Sequence, residues 1–351
     1  MTSKPTQNGS KVTITDIANV SKVSPATVSL VLRDKPGVGD KTRQRVLETA
    51  QSLGYIPPST PAKQVDREAF KQIGLLMKVD LHTAPEQNQF YVPVVTGIES
   101  VCRQRRSYLL YANLPVDEHN QPLELPRLMT DNQVDGLLVI GMELTEGLLA
   151  HLQQSRVPIV LVDGYAADDP FDSVVTDNVR GGMQATEHLI ERGHQKIAII
   201  GSAADAYPSI LERRHGYIRA MQNHGLEPIF ADCTLFPAQA EKAVEELFMA
   251  HPDVSALFAC NDEISIAIMK KLASMGKRVP DDVSVIGFDN IVLAQHVTPA
   301  LSTMRVDKMS MGRLAAQLMF NRLQYPKSSL VRTVIQPQLI QRSSVSQAKS
   351  F

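Results

Sequence analysis

The chain has no tryptophan, only three cysteines in 351 residues, and 5% aromatic residues. Cys102, Cys233 and Cys260 are odd in number, far apart and without a C-x-x-C pair. They exclude a disulfide scaffold or zinc ribbon and read as small buried hydrophobes of a reducing compartment. Long hydrophobic runs are missing as well. Strings such as Leu137–Ile140 and Ile197–Ile200 fall far short of the roughly 20 apolar residues a membrane helix needs. The polar start, Met1-Thr-Ser-Lys-Pro-Thr-Gln-Asn, lacks the apolar stretch of a secretory signal. The expectation is a cytoplasmic protein with no membrane association. Enzyme signatures are also lacking: there is no G-x-G-x-x-G after a first strand, no G-x-x-x-x-G-K-[ST], no G-x-S-x-G and no H-E-x-x-H. The nine histidines are scattered, with His188 and His194 at a helix end and its turn. No catalytic residue, metal site or cofactor is expected.

What is present is an ordinary α/β composition, with 43% hydrophobic and 21% charged residues. At 351 residues the chain exceeds one typical domain. Its net charge of −1 hides an asymmetry: residues 1–71 hold eleven Lys/Arg against six Asp/Glu, a net of +5, which leaves −6 for the remainder. A basic head on an acidic body suits a polyanion-binding module joined to a separate body.

The head reads as three short helices. Thr13 or Thr15 caps a first helix through Val20, with Ile14, Ile17 and Ala18 on its apolar face. Ser24-Pro25 opens a second helix, serine capping the free N–H groups and proline fitting the first helical position. This helix buries Val28, Val31 and Leu32. A third, Lys41 to Leu53, buries Val46, Leu47 and Ala50 and ends at Gly54. Two helices joined by a short turn with a third behind them make a helix-turn-helix. Lys22 falls in that turn.

Residues 56–71 read as a proline-rich linker with one short helix from Ala62 to about Phe70. From Ile73 onward strand-like runs alternate with amphipathic helical runs. Strands are expected at 73–77, 108–112, 136–140, 159–162, 173–176, 197–200, 256–259 and 284–287. Helices are expected near 91–106, 123–133, 145–155, 179–192, 212–224, 237–250, 263–275 and 308–323. Such alternation implies parallel sheets in doubly wound domains, and the number of strands asks for two lobes.

These residues resemble the LacI/GalR (lactose-repressor) family over nearly the whole chain. At the head, Thr13-Ile-Thr-Asp-Ile-Ala, Val23-Ser-Pro-Ala-Thr-Val-Ser-Leu-Val-Leu, Thr42-Arg-Gln-Arg-Val and Leu53-Gly-Tyr-Ile-Pro match its headpiece in order and spacing. In the body, Val134-Asp-Gly-Leu-Leu, Thr176-Asp-Asn, His188-Leu-Ile-Glu-Arg-Gly-His, Glu212-Arg-Arg-His-Gly-Tyr, Cys260-Asn-Asp and Val279-Pro-Asp-Asp-Val-Ser-Val-Ile-Gly-Phe-Asp-Asn match its effector domain. The resemblance implies an α/β protein: an all-α helix-turn-helix headpiece (1–58), a hinge (59–71), a two-lobed doubly wound parallel-sheet core like periplasmic binding proteins (72–343), and a tail (344–351). The resemblance further implies lobe one at about 72–164 and 294–324, and lobe two at about 165–293 and 325–343.

The resemblance puts base reading on Ser24, Pro25, Ala26, Thr27 and Leu30, with Ser29 as a further hydroxyl donor. Leu30 stands where an arginine often clasps guanine. Phosphate contacts are expected from Thr15, Arg33, Lys41 and Arg43, and Val65 is the candidate minor-groove wedge of a hinge helix. Effector contacts are expected on Phe90, Tyr91, Asp163, Arg213, Asn261 and Asp289, at the carboxyl ends of strands where doubly wound lobes bind ligands. Carboxylate, amide and guanidinium suit vicinal hydroxyls, and an aromatic ring suits the apolar face of a sugar. A purine is the alternative effector, with the Asn261-Asp262 pair favouring sugar. Capping or turn formation is the competing role for Asn261, Asp262 and Asp289. Tyr207 and Asp205 lie in a neighbouring variable loop.

The expected partners are a double-stranded DNA operator, a small-molecule effector and a second copy of the chain. The C-terminal segment has no leucine heptad, which favours a dimer over a tetramer. The rival reading is a periplasmic sugar-binding protein; a secretory signal and the lack of a basic helical head would mark it, and the sequence has neither.

Overall fold

A capping box starts the first helix. The Thr13 hydroxyl accepts from the Asp16 N–H, and the Asp16 carboxylate accepts from the Thr13 N–H and hydroxyl. In the computed structural model of the chain this opens α1 (Ile14–Ser21), followed by α2 (Pro25–Leu32) and α3 (Asp40–Ser52). The structure describes residues 12–32, 35–53, 55, 71–80, 89–116, 122–130, 133–168 and 170–349. The chain divides into two units, Met1–Ala69 and Phe70–Phe351. In the first, Ile17, Ala18, Val28, Val31, Val46 and Ala50 form the core, with Ile14 and Leu32 half-buried beside them. Leu47, expected in this core, is 48% exposed. Val46 and Ala50, four apart, already fill the inward stripe of α3, and position 47 falls beside it. Lys22 ends α1 in the left-handed region at φ 53°.

The second unit carries two sheets of six strands each among the described residues. The first holds β1 (Gln72–Asp80), β2 (Tyr108–Val116), β3 (Gly136–Ile140), β4 (Ile159–Val162), β5 (Asp172–Thr176) and β11 (Arg332–Ile335), ordered β11-β5-β4-β3-β1-β2. The second holds β6 (Ile197–Ile200), β7 (Ile229–Ala231), β8 (Ala256–Ala259), β9 (Ser284–Asp289), β10 (Ser302–Arg305) and β12 (Gln338–Ile340), ordered β12-β10-β9-β8-β6-β7. The two orders are equivalent. All pairings are parallel except β12 with β10. Strands β3, β4, β6 and β8 are buried at every residue, as befits parallel strands covered by helices on both faces.

Those helices are α4 (Tyr91–Gln104), α5 (Arg127–Thr130), α6 (Glu146–Gln153), α7 (Asn178–Ile190), α8 (Pro208–Asn223), α9 (Pro237–Ala250), α10 (Asp262–Ser274) and α11 (Lys308–Gln324). The helix expected from 123 begins only at Arg127, as α5, because Pro126 restricts the residue before it and opens the turn. Helix α7 packs on α8, and α11 on α4. Glycines make both crossings close: a Cβ on Gly182 would meet the backbone of Arg213, and one on Gly97 would meet that of Met309.

The structure corrects three of the expected domain features. Strands β5 and β11 belong to the first lobe, although 165–293 and 325–343 are expected in the second, and β10 belongs to the second, although 294–324 is expected in the first. The chain crosses between lobes three times, at Asp177, at Val306–Asp307 and at Gln336–Pro337. Strand–helix alternation carries no mark of which sheet a strand joins. Strands β10, β11 and β12 are three or four residues long and interrupted by polar residues, so they lack the unbroken apolar run that marks the equally short β4, β6 and β8. Finally, the segment expected as a tail from 344 packs, over its described residues 344–349, into the second lobe. Ser344 is fully buried, its hydroxyl accepting from the Ser302 N–H and donating to the Val285 carbonyl.

Candidate functional sites: a reading helix and an interlobe cavity

Helix α2 turns Val28 and Val31 inward and leaves the other side free. Ser24, Pro25, Ala26 and Leu30 are exposed there, with Thr27 and Ser29 half-buried. The Ser24 hydroxyl accepts from the Thr27 N–H at 3.1 Å and lies 2.9 Å from the Thr27 hydroxyl. The N-terminus of α2 is therefore capped and its polar groups gathered at one end. Thr15 is exposed on the first turn of α1. Arg43 donates from Nη2 to the Lys35 carbonyl at 2.6 Å, bracing the segment between α2 and α3. Arg33 and Val65 lie outside the described residues, as does the expected hinge helix from Ala62.

In the second unit a cavity of about 710 Å³ opens between the two sheets' carboxyl ends, the position expected for doubly wound lobes. It gathers all six residues singled out from the sequence: Phe90, Tyr91, Asp163, Arg213, Asn261 and Asp289. Phe90 and Tyr91 meet edge-to-face at 4.9 Å between ring centres. Asp163 follows β4 in the left-handed region at φ 49°. Its carboxylate accepts from the Tyr91 hydroxyl at 2.9 Å, and its backbone carbonyl accepts from the Tyr207 hydroxyl at 3.1 Å. Burial pushes the Asp163 carboxyl up to about 7 and, as the leading cause, also raises the Tyr91 and Tyr207 hydroxyls.

Opposite stands Arg213, 5% exposed, in the second turn of α8. It donates from Nε to Asn178 Oδ1 at 2.9 Å, from Nη1 to the Cys260 carbonyl, and from Nη2 to Asp289 Oδ1 at 3.2 Å, with its guanidinium 3.8 Å from the Phe288 ring centre. A charge this buried is tolerated because it is paired and hydrogen-bonded. Asn261 caps α10, its Oδ1 accepting from the Ile264 N–H at 2.9 Å, so the capping role weighed for it is real alongside its place in the cavity wall. Asp262 does something else: buried below the wall, it accepts from the Ile291 N–H at 2.8 Å and the Thr303 hydroxyl at 2.6 Å. Burial pushes its carboxyl up to about 8.

The cavity also takes in Tyr111, Asn113, Ser209, Phe236 and Glu263, which sequence reasoning passed over. Glu263 was the most findable, since it follows the Asn261-Asp262 pair in the first turn of α10; burial pushes its carboxyl up to about 6. Tyr207 lines the cavity, while Asp205 is exposed outside the lining.

Comparison with known proteins follows the same division. The family model "Bacterial regulatory proteins, lacI family" matches residues 13–58, and "Periplasmic binding protein-like domain" matches residues 186–345. An HTH-type transcriptional repressor PurR of Aliivibrio fischeri is 33% identical over 348 residues, covering 95% of this chain and 98% of that protein. The chain belongs to the LacI family. It is a DNA-binding transcriptional repressor of that family and not an enzyme. A second LacI-family relative, the PurR repressor of Aliivibrio salmonicida, is 32% identical over 342 residues, again covering 95% of this chain and 98% of that protein. Among solved structures, a transcriptional regulator CelR–cellobiose complex is 27% identical with a TM-score of 0.68, covering 95% of this chain and 99% of that one. A LacI-family regulator from Enterococcus faecalis with bound ribose is 26% identical with a TM-score of 0.68, covering 80% and 100%. The Lac repressor dimer bound to operator, at 20% identity and a TM-score of 0.69 over 96% of this chain and all of that one, shares the fold.

Proposed function

We propose that this LacI-family repressor is controlled by a sugar bound in the interlobe cavity. The observation that carries the reading is the composition of the cavity wall. Carboxylates (Asp163, Glu263, Asp289), amides (Asn113, Asn261) and the Arg213 guanidinium converge on a space also faced by Phe90, Tyr91 and Phe236. Such a wall offers acceptors and donors for vicinal hydroxyls together with aromatic faces for the apolar side of a ring. The cellobiose and ribose complexes of the structural relatives support it. A purine is the second reading, favoured by the PurR names of relatives that match nearly the whole chain. A planar base would stack between aromatic rings and need few of the carboxylates.

The repressor reads a near-palindromic DNA operator as a cytoplasmic homodimer, with Ser24, Pro25, Ala26, Thr27, Ser29 and Leu30 of α2 at the major groove, Thr15, Arg33 and Arg43 on phosphates, and Val65 at the hinge. The exposed apolar side chains Val92 and Val292 leave faces for subunit pairing. Effector binding favours one relative orientation of the lobes, and the hinge segments carry that preference to the headpieces. A sugar inducer that releases DNA is the form we favour. A thermal-shift panel of mono- and disaccharides, with hypoxanthine and guanine beside them, tests the effector class. The sugar reading expects stabilisation that grows with the logarithm of sugar concentration; stabilisation by the purines alone overturns it.

A further inference from the structure

Asp177 and Asp307 occupy equivalent places where the chain passes between lobes. Each caps the helix that follows, accepting from the N–H three residues on: Arg180 and Ser310, both at 3.0 Å. Their backbones nearly coincide, at φ −73°, ψ 76° and φ −78°, ψ 77°. The next residue, first in its helix, is Asn178 on α7 and Lys308 on α11. Helix α7 packs in the second lobe and α11 in the first. Asn178 and Lys308 are both polar and both buried.

Their side chains are the two ends of one hydrogen-bonded chain. Asn178 Oδ1 accepts from Arg213 Nε at 2.9 Å, and Arg213 Nη2 donates to Asp289 Oδ1 at 3.2 Å. The backbone carbonyl of Asp289 accepts from Lys308 Nζ, which also donates to the Asn290 carbonyl at 3.2 Å. Each end spans the lobes. Asn178 Nδ2 donates to the Tyr165 hydroxyl of the first lobe at 3.2 Å, and Lys308 reaches from the first lobe to a corner of the second. That corner is strained: Asp289 and Asn290 both sit in the left-handed region, at φ 103° and 51°. Such a conformation persists only where its surroundings over-determine it, and Lys308 holds both of its carbonyls. A buried ammonium is costly unless its donors are satisfied, so the lysine and the corner hold each other in place. The two middle members, Arg213 and Asp289, line the cavity.

We propose that Asn178–Arg213–Asp289–Lys308 is a relay joining two of the lobe crossings through the cavity wall, with Asn178 and Lys308 as its positioning residues. A ligand group that engages Arg213 or Asp289 then acts on both crossings at once. The consequence for operator binding rests on the effector reading above; the relay itself is testable with no ligand present.

The test is hydrogen exchange followed by mass spectrometry on the full chain, comparing wild type, Lys308→Met and Lys308→Arg. Loss of the ammonium exposes the corner locally, so exchange at 288–291 and 308–311 quickens whatever its role. The relay further requires exchange at 175–180, away from the Asp289 and Asn290 carbonyls that take the Lys308 hydrogen bonds, to quicken by at least about threefold in Lys308→Met. Lys308→Arg, which keeps the charge and donors, restores protection there. Wild-type exchange at 175–180 in a folded Lys308→Met protein reduces the lysine to a local brace and overturns the relay. Should Lys308→Met not fold, Asn178→Ser decides in the reverse direction: faster exchange at 288–291 supports the relay, and unchanged exchange there overturns it. Failure of every sugar in the thermal panel leaves this outcome unaffected, so the two readings fail separately.

Discussion

Tyr207, the N-cap residue of α8 in the second lobe, donates its hydroxyl to the backbone carbonyl of Asp163 in the first lobe at 3.1 Å. This bond crosses the mouth between the lobes and lands on the residue whose carboxyl takes the Tyr91 hydroxyl. The Asp163 carboxyl is thereby removed from water with one hydroxyl donor, which offsets part of the cost of ionising it but not the whole.

The first prediction concerns pH. Folding lifts the Asp163 carboxyl from its ordinary 3.8 to about 7 and that of Asp262 to about 8. Between the unfolded and folded values the native state holds the extra proton, so stability falls as pH rises and levels off above the folded value. His188 and His194, both pushed down by burial, act in the opposite direction below their ordinary value, so pH 6.5 to 8 isolates the carboxyls. Urea denaturation across that window is expected to show falling stability, each group contributing at most about 1.4 kcal/mol per pH unit. Asp163→Asn should flatten the slope; an unchanged slope in the variant contradicts the assignment.

A second prediction concerns the Arg213–Asp289 pair. Arg213→Ala leaves the Asp289 carboxylate buried and unpaired, and is expected to cost about 3–5 kcal/mol. Adding Asp289→Asn to it should recover a substantial part, because the orphaned charge is gone. A double-mutant cycle by calorimetric unfolding measures the coupling. Strict additivity would mean that the ion pair does not hold the cavity wall.

Much of this was legible from residues alone. Ser24-Pro25 announces a capped helix, Asn261 follows an apolar strand and Asp289 ends one, so both the reading helix and the cavity residues have local signatures. The pieces that escaped depend on tertiary contact. Asn113 and Tyr111 sit within β2 with no local sign of facing a cavity. Lys308 looks like a solvated first-turn lysine until α11 is placed against the Asp289 corner. Leu47 reads as core on hydrophobicity, yet falls outside the stripe that Val46 and Ala50 define. Strands β5, β10 and β11 fall in lobes other than those expected because the crossings at Asp177, Val306–Asp307 and Gln336–Pro337 are made in one or two residues, and nothing in the period of the pattern marks them.

The third prediction tests the α7–α8 crossing. A methyl added by Gly182→Ala would press on the backbone of Arg213, and overpacking of this kind is expected to cost about 1–3 kcal/mol. Because the displaced backbone belongs to a cavity residue, the affinity for the stabilising compound from the thermal panel should fall along with the melting temperature. Gly147→Ala, at an exposed position of α6 where a Cβ meets nothing within 4 Å, should lower neither, and the better helix former should raise the melting temperature slightly.

The fourth prediction addresses the reading helix. Replacing Thr27 and Ser29 together by alanine should weaken operator binding by about 1–3 kcal/mol for each hydrogen bond to a base edge that the change removes. Binding to bulk DNA at low salt should change little, since that affinity comes from phosphates. Equal weakening on operator and on bulk DNA would place these hydroxyls on the backbone instead.

The most direct test of the whole account is a fluorescence-anisotropy titration of operator DNA, selected from a random pool with the purified protein, carried out with and without the sugar that stabilises it. The account predicts a selected sequence bound well above bulk DNA, an affinity altered at least about tenfold by the sugar, about 1.4 kcal/mol of coupling, and loss of that coupling in a folded Asp289→Asn protein. Operator affinity that is indifferent to every stabilising compound would contradict it.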